Sequence, residues 1–215
     1  MACDSNFQVI VDAGAAVQIR RRAEFRASPW RNGGGVTHEA MRRPSTGDAF
    51  DWRVSVAEIA SSGPFSAFEG YRRHMLLLSG AGLDLDFPDG RLDRLRRPGD
   101  LVSFAGAPPP ECRLLAGPCV DLNLICAHGL SLETWLLRRD AQHDIGVAAG
   151  DVMLAFCIAG VATLVDPTTQ FGTLGCSDLA VLDVASPGRV HVRAPAPGAD
   201  ANALFLAKLA APEGD

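Results

Sequence analysis

Apolar and polar residues alternate along Asp51-Trp52-Arg53-Val54-Ser55-Val56-Ala57-Glu58-Ile59. A period of two places Trp52, Val54 and Val56 on one face of a strand and Arg53, Ser55 and Ala57 on the other. Strand-like runs recur at 71–78, 83–87, 92–95, 101–104, 111–115, 120–125, 152–158, 161–165, 172–174, 179–184 and 190–192. Turn chemistry separates many of them, as at Pro88-Asp89-Gly90, Arg97-Pro98-Gly99-Asp100 and Gly117-Pro118. Short strands punctuated in this way predict an all-β sandwich or barrel. A chain of 215 residues accommodates one large β domain or two small, closely packed β units. The glycine- and proline-rich 105–110 segment places the boundary, giving an N-terminal unit over 1–107 and a C-terminal unit over 108–215. Residues 130–139 fit a helical face as well as a strand, 185–200 read as loop, and 203–209 read as an edge strand or short helix.

A hydrophobic fraction of 47% and a charged fraction of 21% describe a globular chain. No run approaches the ~18 uninterrupted apolar residues of a membrane helix, and Asp12 interrupts the only N-terminal stretch that resembles a secretion signal. The expected location is therefore the cytoplasm. A net charge of −5 argues against general nucleic-acid binding, despite the arginines at 20–22, 42–43, 72–73, 94 and 96–97. Lys208 is the only lysine. The six cysteines (Cys3, Cys112, Cys119, Cys126, Cys157 and Cys176) never form a C-x-x-C pair, and several sit in apolar runs. Buried, reduced thiols are the expectation.

Between the first strands lies Trp30-Arg31-Asn32-Gly33-Gly34-Gly35-Val36-Thr37-His38-Glu39. Three consecutive glycines suit a backbone that needs unusual dihedrals or close approach, either at a ligand or in an ordinary surface turn. The triplet matches neither G-x-x-x-x-G-K-[ST] nor G-x-G-x-x-G. His38, His74, His128, His143 and His191 are scattered, so no metal site and no cofactor are expected. No serine elbow and no cysteine with an obvious histidine partner nominates a catalytic residue. What remains is a polar set suited to a small anionic molecule: Asn32, Thr37, Glu39, Arg53, Ser55, Ser66, Arg72, Asp121 and Asn123. Arg53 is the anion clamp of choice, because a guanidinium grips a carboxylate bidentately; the alternative is a structural ion pair with Glu39, Glu58 or Asp121.

The strings W-R-N-G-G-G-V-T-H-E, F-D-W-R-V-S-V-A-E-I, S-G-P-F-S-A-F-E-G-Y-R-R, L-L-L-S-G-A-G-L and G-P-C-V-D-L-N-L, running in order from Trp30 to Asn123, resemble the HutD/Ves family. The resemblance implies an all-β bicupin of RmlC-like jelly rolls, found in cytoplasmic bacterial proteins that accompany histidine-utilisation enzymes. It implies a ligand site at Trp30, Asn32, Gly33, Gly34, Gly35, Thr37, Glu39, Arg53, Ser55, Ser66, Arg72, Asp121 and Asn123, with His74 added because it follows the arginine pair. Glu69 departs from the family's proline, and His74 is a second departure. The leading expectation is a non-enzymatic protein that binds a carboxylate metabolite such as urocanate, formiminoglutamate or formylglutamate and modulates histidine utilisation. Its alternatives are a metal-independent isomerase or hydrolase using His38 or His74 near Glu39, and a module that binds a protein partner. Exposed strand edges would allow a homodimer.

Overall fold

The alternating runs form β-strands in the computed structural model, which describes residues 7–138, 142–167, 170–193 and 203–210. In chain order the first strands are β1 (Phe7–Asp12), β2 (Ala15–Arg20), β3 (Arg26–Pro29), β4 (Gly35–Arg43), β5 (Trp52–Ile59), β6 (Gly63–Pro64) and β7 (Tyr71–Ser79). They continue as β8 (Leu83–Asp86), β9 (Leu92–Leu95), β10 (Leu101–Ala105), β11 (Glu111–Leu114), β12 (Cys119–Ala127), β13 (Ser131–Leu137) and β14 (Gln142–Val147). The last are β15 (Val152–Ala159), β16 (Ala162–Val165), β17 (Gln170–Leu174), β18 (Leu179–Val184), β19 (Gly188–Arg193) and β20 (Ala203–Ala210). Among the described residues, no helix is long and apolar enough to cross a membrane.

Pairing is nested. In one unit β5 pairs β12, β6 pairs β11, β7 pairs β10 and β8 pairs β9, all antiparallel. The other repeats the scheme with β13·β20, β14·β19, β15·β18 and β16·β17. Folding an antiparallel ribbon back on itself in this way makes a jelly roll, so the chain is a bicupin of two such units. The first unit has sheets β10-β7-β12-β5-β4-β3 and β6-β11-β8-β9. The second has β14-β19-β1-β16-β17 and β13-β20-β15-β18-β2. These are sandwiches of two open sheets rather than closed barrels.

The division between units differs from the boundary at 107/108 expected from composition. β11 and β12 lie beyond that point, yet they pair with β6, β8, β5 and β7. One unit therefore spans Phe25–His128, and the described parts of 1–24 and 129–215 form the other. β1 is inserted between β19 and β16, and β2 extends the sheet at β18. Strand pairing overrides a local proline and glycine signal here, because each ladder satisfies a row of backbone groups that a loop boundary cannot.

The ambiguous segments resolve in the same way. Residues 131–137 are strand β13, fixed by pairing with β20 along its full length. β20 itself is flanked by β13 and β15, so it is an interior strand and not an edge. Within 185–200 the structure places β19, and 194–200 lie outside the described residues, as do Cys3 and Arg139. Cys112, Cys119, Cys126 and Cys157 are buried and free, and Cys176 is exposed and free.

Candidate functional site

In the 25–128 unit the side of the large sheet that carries Arg53 and Ser55 changes character along its length. Ile59, Met75 and Leu77 pack with Leu83, Leu85, Leu95, Phe104 and Cys112 in a single apolar cluster. Past that cluster the same face turns polar. Directly opposed residues of antiparallel strands share a face, so the registers define its rows. Arg42, Arg53, Ile125, Arg73 and Phe104 make one row. Arg26, Glu39, Ser55, Asn123 and Met75 make the next, followed by Ser28, Thr37, Ala57, Asp121 and Leu77.

A bulge in β4 adjusts the first two rows. The pairing of β4 with β5 shifts between Glu39 and Met41. One extra residue lets Glu39 and Arg42 face the same side three positions apart, with Arg42 Nε 3.8 Å from Glu39 Oε1.

A pocket of about 760 Å³ opens on this face. Of the expected positions, Trp30, Asn32, Thr37, Glu39, Arg53, Ser55, Ser66 and Asn123 line it. Gly33, Gly34, Gly35, Arg72, His74 and Asp121 do not. Lining residues that the sequence reading passed over include Arg26, Arg31, Arg42, Arg73, Phe65 and Phe68. Five arginines thus face one glutamate, within a chain of net charge −5.

The glycine triplet forms the β3–β4 hairpin turn. Trp30 N–H donates to the Gly35 carbonyl at 2.9 Å, Gly33 N–H donates to the Trp30 carbonyl at 3.0 Å, and Asn32 Oδ1 accepts from Gly34 N–H at 3.0 Å. Gly33 has φ of +72°, a left-handed conformation that favours glycine. A Cβ on Gly35 would collide with the Glu58 carbonyl oxygen and lie 3.1 Å from Trp30 ring carbons. The turn thereby presses the indole towards the pocket, where Trp30 Nε1 donates to Thr37 Oγ1 at 2.8 Å and the ring meets Phe65 edge-on at 6.1 Å. Gly35→Ala is expected to destabilise the protein by about 1–3 kcal/mol through overpacking, read as a lowered urea midpoint.

Arg73, rather than Arg72, reaches the pocket floor. Arg72 shares the opposite face with His74 and Leu76 and is exposed. Arg73 is buried, and its guanidinium carbon lies 4.8 Å from the Phe65 ring centre and 5.2 Å from that of Phe104. Its Nε and Nη2 donate to Asn123 Oδ1 at 3.2 and 2.9 Å. Asn123 Nδ2 donates in turn to Asp121 Oδ2. Burial pulls Arg73 down to about 10, against the opposing pull of Asp121. Burial also pushes Asp121 up to about 7, against the stabilising charge of Arg73.

Arg53 lies beside this network, 5.3 Å from the Phe50 ring centre and 4.9 Å from that of Phe68. Burial lowers its pKa, with Glu39 opposing. Its Nε is buried and makes no protein hydrogen bond among the described residues. Charged donors clustered in a partly desolvated cleft suit an anion with oxygen acceptors.

The two histidines considered as general bases sit elsewhere. His38 Nε2 is 2.9 Å from Glu58 Oε1, and His74 Nδ1 is 2.7 Å from Ser103 Oγ. Burial holds His74 down at about 4, so it is neutral near pH 7. Among the described residues no cluster of three histidine, cysteine or carboxylate side chains could hold a metal.

The other jelly roll supplies a contrast. In its corresponding strands, Leu137, Met153, Ala155, Cys157, Leu204 and Leu206 belong to one apolar cluster. The same face of β5, β7 and β12 in the 25–128 unit carries Arg53, Ser55, Arg73, Asp121 and Asn123 beside the apolar Ile59, Met75 and Leu77. That unit thus keeps polar groups around a cavity next to its apolar cluster.

Comparison with known proteins agrees with this architecture. A curated relative, an uncharacterised 21.2 kDa protein encoded in the hutC 3′ region of Pseudomonas putida, is 42% identical over 112 residues. That match takes in 52% of this chain and 58% of the relative's length, a little over half of it. The crystal structure of a conserved protein of unknown function from Pseudomonas aeruginosa PAO1 superposes with a TM-score of 0.78 at 26% identity, covering 90% of this chain and 98% of that one. The structure of HutD from Pseudomonas fluorescens SBW25 superposes with a TM-score of 0.75 at 28% identity, covering 92% and 100%. The model of the HutD family matches residues 22–199. That match takes in the 25–128 unit with its whole pocket and strands β13 to β19 of the other unit, and on it the chain belongs to the HutD family.

Proposed function

We propose that the pocket of the 25–128 unit binds a small carboxylate-bearing metabolite and that the protein modulates histidine utilisation by that binding, without chemistry of its own. The observation that carries this reading is the excess of guanidinium groups over carboxylates around a 760 Å³ cavity, with Arg53 Nε buried and unpaired beside it. Family membership and the relative in the hutC region support the pathway. Urocanate, formiminoglutamate and formylglutamate are the candidate ligands, since each joins a carboxylate to a polar group that Ser55, Ser66 or Asn123 can meet.

A thermal-shift screen tests this reading against those three compounds, histidine and simple carboxylates, with and without divalent metal. A ligand present at a hundredfold excess over its dissociation constant stabilises the folded state by about 2.7 kcal/mol, a rise of roughly 5–10 °C for a chain of this size. The expected result is a metal-independent rise with one pathway carboxylate and none with a neutral analogue of it. A rise only with metal, or none across the panel, overturns the reading. The latter result favours a protein partner.

A further inference from the structure

The floor of the pocket joins two charges through a neutral amide. Asn123 accepts two hydrogen bonds from the Arg73 guanidinium on its Oδ1 and donates from Nδ2 to Asp121. Asp121 is fully buried and does not line the pocket, whereas Arg73 and Asn123 do. A carboxylate removed from water in this way needs a cation, and the guanidinium on the pocket floor is the one that acts on it. Any anion that enters the pocket competes for the same guanidinium.

We propose that Asp121 is a positioning residue that acts on the ligand through Asn123 and Arg73, so that the pocket takes up a proton together with its anion. The inference rests on the carboxylate-binding reading above and adds to it a protonic co-ligand. When Asp121 is ionised it neutralises Arg73, and the floor offers an incoming carboxylate little net charge. When Asp121 is protonated, Arg73 presents its full charge to the pocket. Linkage is reciprocal: if protonation favours the anion, the anion favours protonation by the same factor. Binding therefore raises the proton affinity of Asp121, and ligand affinity falls as pH rises above the point at which the empty pocket loses that proton.

The neighbours of Asp121 support this assignment. From β7 the group facing it is Arg73, and from β5 it meets the Ala57 backbone. From β11 it meets the Cys112 thiol, which burial pushes up to about 12 and so keeps neutral. Arg53 reaches it only through its effect on Arg73. His74 lies on the opposite face and is neutral across the relevant range. Burial places the Asp121 transition near pH 7, where the effect is measurable.

Isothermal titration calorimetry with N-formylglutamate tests the proposal, because that probe has no group titrating between pH 6 and 9. Measuring in buffers of different ionisation enthalpy gives the protons taken up per ligand bound. The expected result for the wild-type protein is an uptake that approaches one proton above pH 7, with the dissociation constant rising by up to tenfold per pH unit. Asp121→Asn imitates the protonated acid. It is expected to bind at pH 8 at least as tightly as the wild type does at pH 6, with no proton uptake.

A residue that merely held the floor together would instead weaken binding in the variant equally at every pH. Binding by the wild type with no proton uptake overturns the relay and leaves the carboxylate reading standing. No binding of N-formylglutamate, urocanate or formate by the wild type overturns both. The wild-type measurements decide the matter even if the variant fails to fold.

Discussion

Arg73→Ala is expected to destabilise the 25–128 unit by about 3–5 kcal/mol at pH 9, the cost of stranding one member of a buried charge pair. The variant loses the guanidinium's contacts with the Phe65 and Phe104 rings and leaves Asn123 Oδ1 without its two donors. Those losses do not depend on pH. The electrostatic part does. In the folded protein burial holds the Asp121 carboxyl near 7, well above the ordinary aspartate value of about 4. A raised carboxyl pKa means that the native state keeps a proton which the unfolded chain has already released. Asp121 therefore weakens the fold progressively as pH rises from about 4 towards 7, and its cost is complete above that. Removing Arg73 raises the carboxyl further and carries the cost into more alkaline solution. Urea unfolding at pH 6 and pH 9 should give a larger deficit for the variant at pH 9, and adding Asp121→Asn should abolish the difference between the two pH values. Equal deficits at both would mean that Arg73 contributes packing alone.

The same residue marks how far the sequence could be read. Strand content, the alternation of β5 and the polar face of Arg53 and Ser55 are local properties, and a period of two exposes them directly. The choice between Arg72 and Arg73 is not local. β7 is buried on both faces through its centre, His74 and Leu76 on one side and Met75 and Leu77 on the other, so no alternation reveals which arginine points at the pocket. Register with β12 decides it, and register is a property of pairing across some fifty residues. Arg42 was hidden for a related reason, because the bulge after Glu39 reverses the parity of everything that follows it on β4. Asp121 and Asn123 were legible as a shared face of β12, but which of them meets the cavity depends on depth, which alternation does not encode. The glycine triplet was conspicuous, yet its work is steric. It turns the chain tightly enough to hold Trp30 and Asn32 at the pocket while the glycines themselves stay outside it.

Arg53→Ala is expected to cost at least thirtyfold in ligand affinity while leaving the fold close to wild-type stability, a combination that separates this arginine from Arg73. Truncating one partner of a desolvated, hydrogen-bonded charge pair typically costs about 2–5 kcal/mol in binding, and about 1.4 kcal/mol corresponds to a factor of ten. Two opposing effects keep the stability change small. The variant gives up the guanidinium's contacts over Phe50 and Phe68, worth roughly 0.5–2 kcal/mol. It also relieves the fold of a buried Nε with no protein partner and of a cation whose charge burial already opposes. Arg53→Lys separates charge from geometry, because an ammonium restores the charge without the planar fork that grips two carboxylate oxygens. The lysine variant should recover only part of the lost affinity. Titration calorimetry with the ligand from the thermal screen, set beside urea unfolding of each variant, measures both sides of the comparison. Unchanged affinity in a folded Arg53→Ala protein would remove Arg53 from the site and shift the anion contact to Arg42 or Arg73, which lie on either side of it in the row.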